Sequence, residues 1–304
     1  MGMIGAAFGL GFMIGPFVGG VLSDPANGIG GIFEASFWVS YPYLLPCIFS
    51  SAMSSIAFIL AFYKLPESLP EESRSSSEAS PLVQLQATVS SISSVLKLPT
   101  ISSLVVVNFL FLLGFTMMHG TFILFTSMEP ESGGLGWSER DNGWVFAFIG
   151  LLGVIIQGGL IGSLTRRYNL RGLMIVGTAL AGLGVASIPY APAEFSWLIF
   201  GSCAGLAIGN GLYSPTQSSL LTFETKGGGF ELGMVMGAQE GSGALARIIG
   251  PLLAASIWSV TVEGTGLWTF HTCFRVAGVF FFAALLLQLR LRSSDGPGPD
   301  IGGN

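Results

Sequence analysis

The sequence predicts an all-α membrane protein of eight transmembrane helices, and three observations carry that prediction. Apolar residues make up 51% of the 304 and charged residues only 10%, against about 25% charged in a typical soluble domain. Mean hydropathy is +0.70, and a soluble fold has no interior large enough for that balance. Uncharged runs recur along the chain at about twenty residues, which at about 1.5 Å per residue cross a hydrocarbon core of about 30 Å. Tryptophans and basic residues segregate to opposite sets of the connections between those runs, as two chemically different membrane faces require.

The first span, Met3–Ser23, has no charged residue and holds Gly5, Gly9, Gly11, Gly15, Gly19 and Gly20. So many glycines disfavour a soluble helix. In a bilayer, small residues let helices approach closely and a proline is tolerated. The segment is therefore expected to pack on a second helix and to bend at Pro16. The second span is Tyr41–Tyr63. From Leu65 to Thr100 the chain includes PESLPEESRSSSEAS, too polar to order itself by burial. It reads as a linker, with Pro81–Leu98 as a short amphipathic surface helix. Six spans follow: Ile101–Thr126, Asn142–Leu164, Leu170–Tyr190, Ser196–Leu221, Leu232–Val260 and Leu267–Leu289. The tail Ser293–Asn304 is expected to be disordered. The chain thus divides into 1–64, two helices; 65–100, the linker; 101–292, six helices; and 293–304, the tail.

Trp38, Trp137, Trp144, Trp197, Trp258 and Trp268 all fall beside connections on one side. Lys64, Arg74, Lys97, Arg166, Arg167, Arg171, Lys226, Arg290 and Arg292 flank the other, and Arg140 stands on the tryptophan side. By the positive-inside rule the basic loops are cytoplasmic, in a multi-pass protein of the plasma membrane or an organelle membrane. The first span then runs outward.

Composition and motifs exclude several classes. A net charge of -5 offers no basic surface for nucleic acid. The opening run lacks a basic start and is too long for a secretory signal peptide. Cys47, Cys203 and Cys273 are far apart in apolar segments and imply neither a disulfide framework nor a metal site. GxSxG, HExxH, CxxC and a Walker loop are all absent, and the glycines after Lys226 precede no Ser or Thr in a phosphate-binding frame. No enzyme, ATP-driven pump or cofactor is implied.

Ionisable groups inside spans cost at least about 2.5 to 3.5 kcal/mol at mid-membrane, so they turn toward cavities and partners. Glu240 and Arg247 share one face of the seventh span but stand about 10 Å apart along the axis, which predicts no close ion pair in a straight helix. Glu240 reads as a proton carrier or cation-binding carboxylate. Arg247 reads either as an anion or counter-ion site or as a structural tie to a neighbouring helix. His119 can titrate near neutral pH, and Asn108, three turns earlier, points the same way; the alternative for His119 is a hydrogen-bonded packing residue. Asn210, Tyr213 and Gln217 share a face of the sixth span near Pro215, and Gln157 joins them either in orienting a solute or in bonding helix to helix. His271 reads as interfacial and Arg275 as snorkelling outward. Met117, Met118, Phe122 and Phe148 suit a soft pocket or a lipid-facing surface.

Some stretches are family-like. GLGFMIGPFVGG, with GxxxGPxxGG from Gly11 to Gly20, resembles the fifth-helix motif of the drug:proton antiporter branch of the major facilitator superfamily. GALARIIGPLLAA at Gly243–Ala255 echoes it, placing Gly250 and Pro251 as counterparts of Gly15 and Pro16. Gly158–Gly172, GGLIGSLTRRYNLRG, resembles a degenerate copy of the superfamily's signature loop: Gly162, Leu164, Arg166 and Arg171 fit, while Thr165 replaces the acidic residue. YPYLLP at Tyr41–Pro46, KLPES at Lys64–Ser68 and SERDNGWVFAFIG at Ser138–Gly150 are most similar to tetracycline-resistance-type and zinc-induced-facilitator-like members.

This resemblance implies a bundle of two similar six-helix halves, with the eight spans equivalent to helices five to twelve and the first four absent. It implies helix-packing roles for Gly11, Gly15, Pro16, Gly19, Gly250 and Pro251. Arg166, Arg167 and Arg171 are implied either as gating residues pairing with acids or helix ends, or as plain cytoplasmic anchors. The third span would line the central cavity. The implied function is secondary transport of a small organic solute, exchanged for protons by rocking of the halves, with the lipid bilayer, the solute and protons as partners; the 304 residues alone are expected not to transport. The alternatives are a transporter-like receptor or scaffold, or a non-functional fragment of a longer gene. An intramembrane enzyme would need paired ionisable groups at one depth on facing helices, which the sequence does not offer.

Overall fold

Every span expected between Tyr41 and Leu289 is helical in the computed structural model, which describes residues 11, 14–15, 18–66, 97–228, 232–264, 266 and 268–291. The long helices are α1 (Leu44–Lys64), α2 (Pro99–Ser127), α3 (Glu139–Arg167), α4 (Leu170–Ser187), α5 (Leu198–Gly228), α6 (Leu232–Thr261) and α7 (His271–Arg290). All but α5 are long and apolar enough to cross a membrane. α5 has the length, 31 residues, but carries Asn210, Ser214, Thr216, Gln217, Ser218 and Ser219, and it buries Thr216 and Gln217 inside the bundle. No strand occurs among the described residues.

Much of the first span lies outside the described residues, Pro16 included, as do the linker from residue 67 to 96 and the tail. Residues 18–22 are helical. Gly11, Gly15 and Gly19 have no described neighbour within 4 Å of where a Cβ would stand. The close approach belongs to Gly20, where a Cβ would lie 3.0 Å from the Glu139 carbonyl oxygen and 3.6 Å from Gly143 Cα. Beside this contact the Tyr43 hydroxyl donates to Glu139 Oε1 at 3.3 Å. α1 buries none of its residues.

Helices α2 to α7 form one bundle around α2. Contacts rise in step along α2 and α6: Asn108 meets Gln239 and Ser242, Thr116 meets Ala246, and Gly120 faces Pro251 and Ala254. These two helices are therefore parallel. α5 and α7 run antiparallel to α2, since Leu104 meets Gln217 while Phe111 meets Tyr213 and Phe281. Phe111 is the centre of the core, stacked on Tyr213 at 3.6 Å and 8° and edge-on to Phe281 at 4.9 Å and 80°. Gly114 opens the space that Phe281 fills, 2.8 Å from where a Cβ would be. Gly250 lies against the Thr116 hydroxyl, also too close for a Cβ.

α4 and α5 meet over four glycines. A Cβ on Gly177 would lie 2.8 Å from both the Gly209 carbonyl oxygen and the Tyr213 nitrogen, and one on Gly184 2.6 Å from the Ser202 carbonyl oxygen. Gly205 faces Gly184, and Gly209 faces Gly177 and Ala181. Without a hydrophobic driving force between helices in lipid, backbone approach of this kind supplies the packing contact.

The lipid-facing alternative for Met117, Met118 and Phe122 is corrected by this arrangement: they are buried in the core. α2 is enclosed by α5, α6 and α7, so its apolar face is spent on helix packing. Phe148 is half-buried, edge-on to Phe200.

Two backbone irregularities mark α3 and α5. A capping box of Ser138 and Asp141 starts α3, satisfying two of the orphan amides at a helix start. Its middle, Ile155–Leu160, is a π-helical segment. Pro215 inside α5 leaves the Gly211 carbonyl without its usual donor. Gly211 packs against the π segment, 2.9 Å from Ile156 Cγ2 as judged from a built Cβ.

Candidate functional site

The described face of α6 that no neighbouring helix covers carries Glu240 and Arg247, side chains 74% and 53% exposed. Arg247 stands mid-helix in the 30-residue α6, about 22 Å from its start at about 1.5 Å per residue. The two form an ion pair, Nη2 to Oε2 at 3.6 Å, which corrects the expectation that they stand too far apart. The axial separation of the backbones is as expected. Helical side chains lean toward the N-terminus, however, so the long arginine stem returns over the intervening turn to the carboxylate. Gly243 lies beneath that path: a Cβ there would stand 2.8 Å from Leu112 Cδ1 and 3.6 and 3.7 Å from the two guanidinium nitrogens Nη2 and Nη1. A charge-assisted N–H···O bond spans about 2.7 to 2.9 Å, so this is a loose, single contact to a fork of five donors.

Asn108 is buried and bonds α2 to α6: its Nδ2 donates to the Gln239 carbonyl at 3.1 Å and to Ser242 Oγ at 3.2 Å. His119 is exposed, its ring 5.6 Å from Phe146 and 6.3 Å from Phe115. A shared side of α2 thus does not give the two residues shared surroundings, because α6 covers the helix at Asn108 and leaves it open at His119. Tyr213 is 2% exposed, and its hydroxyl has no hydrogen-bond partner among the described residues. Gln217 is 1% exposed; Nε2 donates to the Leu104 carbonyl at 2.7 Å while Oε1 is unmatched. Asn210 is half-buried, and Gln157 is buried in the π segment near Gly211. The face of α5 expected for solute is therefore turned mainly into the bundle at Tyr213 and Gln217.

In the last turn of α3, Arg166 and Arg167 are exposed. Arg171 Nη2 donates to the Gln288 carbonyl at 3.3 Å and the Leu289 carbonyl at 2.9 Å, closing orphan carbonyls at the end of α7 where a cation is favoured. Gln288 Nε2 donates to Thr178 Oγ1 at 2.8 Å one turn inside. Arg171→Gln is expected to cost about 1 kcal/mol locally, seen as roughly fivefold faster amide exchange confined to the last turn of α7. Unchanged exchange there would show that the contact holds nothing. At the opposite end, Arg275 Nε donates to the Tyr190 hydroxyl at 3.2 Å, and His271 packs on Tyr190 and Phe270. Arg275 thus reaches toward the exposed Tyr190 beyond the end of α4.

Ser242 and Thr116 carry no signal in the sequence that marks them out. Thr116 Oγ1 donates to the Ala246 carbonyl at 3.1 Å as well as to its own helix. Small hydroxyls and amides spaced along an apolar run are the available signal, but they do not say which helix is addressed. Among the described residues, no group of His, Cys, Asp and Glu can hold a metal, and Cys47, Cys203 and Cys273 are free thiols.

This arrangement has relatives. The sequence is 28% identical over 316 residues to major facilitator superfamily domain-containing protein 10 of Mus musculus, covering 96% of this chain and 59% of that protein. It is 25% identical over 289 residues to the class E tetracycline resistance protein of Escherichia coli, covering 95% and 63%. The chain thus spans about three-fifths of the length of these curated relatives. Its fold is similar to that of a mutant peptide transporter POT crystallised with sulfate, at a TM-score of 0.55 and 21% identity over 66% of this chain and 40% of that one. The family profile described as Major Facilitator Superfamily matches residues 1–251, and with the helical bundle above, the chain belongs to the major facilitator superfamily, a family of membrane transporters rather than enzymes.

Proposed function

We propose that the chain serves secondary active transport, exchanging a small organic solute for protons by alternating access, and that its helices correspond to helices five to twelve of the superfamily plan. The observation that carries this reading is the loose Glu240–Arg247 pair on an uncovered face in the middle of an apolar helix. Charges at that depth are tolerated where they face a polar cavity, and the face available for one is the side on which another half would close. Glu240 holds the proton and the solute in turn. His119 and Asn210 border the same space, Asn108, Gln157, Tyr213 and Gln217 hold its wall, and Arg166 and Arg167 anchor or gate the cytoplasmic end. The basic loops face the cytoplasm.

The test is a proteoliposome assay of this chain fused behind the first four helices of the mouse relative, with a pH-sensitive dye inside. Adding solutes from a panel of organic ions to the outside should move protons outward, with alkalinisation of the lumen for at least one solute. Solute binding without any proton movement across the whole panel would favour a transporter-like receptor instead.

A further inference from the structure

The pair on α6 also says what kind of solute fits, provided the transport reading holds. A solute with one charge would engage Glu240 or Arg247 and strand the other, and an uncompensated charge out of water is expensive. A solute carrying both charges compensates both. We propose that the site takes a zwitterion: its ammonium replaces Arg247 at Glu240, its anionic group takes the open guanidinium fork, and its body spans the exposed turns between the two.

The geometry suits such an insertion. The existing contact is one nitrogen to one oxygen at 3.6 Å, longer than a bidentate arginine–carboxylate pair needs, so little is lost in parting it. When the side chains withdraw, the span between their backbones is about 10 Å, and Leu112 of α2 closes the buried Gly243 between them, so that a ligand bridging the two charges lies outside this floor.

Protonating Glu240 removes the ammonium's partner, so proton and zwitterion exclude each other. The other titratable groups stand off. From α2 the one candidate is His119, beyond Thr116 and level with Pro251. α5 brings Tyr213, stacked on Phe111, and Glu224 nearer its far end. α7 brings Cys273 against Ala254, Arg275 against Tyr190, and His271 at its start.

The experiment measures binding to the 304-residue chain in lipid nanodiscs, using 4-(aminomethyl)benzoate as the zwitterion. 4-Methylbenzoate and benzylammonium, each with one of its charges, are the controls. At pH 7.5 the zwitterion should bind at least about tenfold tighter than either control. Glu240→Gln and Arg247→Gln should each erase the preference, and the double exchange Glu240→Arg with Arg247→Glu should restore it, which separates lost charge from lost folding. Equal binding of a singly charged control, or a preference that survives Glu240→Gln, overturns the proposal. Proton movement in the liposome assay without zwitterion preference would leave the transport reading standing without this one; the preference without proton movement would do the reverse.

Discussion

Glu240→Gln is expected to reduce solute-driven proton movement to the level of protein-free liposomes, while Glu240→Asp retains a measurable part of it. The amide keeps the size and polarity of the side chain and removes its proton and its charge. It also leaves Arg247 with no ionic partner among the described residues, since the pair with Glu240 at 3.6 Å is the contact the guanidinium makes. Both side chains are largely exposed, so the substitution opens no core cavity and the variant should fold. The measurement is the same dye assay, run side by side with the parent fusion. Full proton movement in the glutamine variant would remove Glu240 from the coupling role and leave His119 as the next titratable group to test.

Gly209→Leu is expected to have the largest effect on stability. A Cβ at this position would lie against the Ala181 nitrogen and 2.5 Å from the Gly177 carbonyl oxygen. Both are backbone atoms that cannot swing aside, so α4 and α5 must move apart, and the Gly205–Gly184 approach one level away opens with them. Where backbone must shift, overpacking costs about 3 kcal/mol, the upper end of its usual range, which lowers a thermal midpoint by about 6 to 12 °C for a protein of this size. Gly201→Leu is the control on the same helix, because nothing lies within 4 Å of its Cβ position. It should change the midpoint by less than about 2 °C. Similar midpoints for the two variants would show that the glycine contact does not hold α4 to α5.

The helices were legible because their determinant is local: length and absence of charge in one run fix a span whatever surrounds it. The ends of α5 were less so. It continues to Gly228, beyond the expected Leu221, because a helix can extend past the apolar layer with Thr222, Glu224 and Thr225 in its final turns.

Partnership between helices was the illegible part. Gly205 and Gly209 form a small-xxx-small pair in plain sight, yet only the fold shows that Gly177 and Gly184 answer it. Asn108 and Gln217 were recognised as unusual, but a polar residue in an apolar run reads alike whether it meets a solute or a neighbour's carbonyl, and here it meets carbonyls. Glu240 and Arg247 were found by charge alone; their contact was missed because backbone rise was counted and side-chain reach was not.

The π segment of α3 and the proline of α5 touch, and that coincidence has a mechanical meaning. Each helix has its weakest point in its hydrogen-bond ladder at the same height, Ile155–Leu160 on one and Gly211 to Pro215 on the other. A rod yields where its ladder is already incomplete. Flexing α3 at this joint therefore sacrifices few bonds that neighbouring turns still hold. The Gly177–Gly209 and Gly184–Gly205 contacts clamp α5 to α4 on the N-terminal side of Pro215. Beyond the joint, Ile161–Arg167 of α3 is largely exposed, whereas α5 after Pro215 stays tied to α2 through Gln217 and the Leu104 carbonyl, so the joint lets the end of α3 swing against a fixed α5.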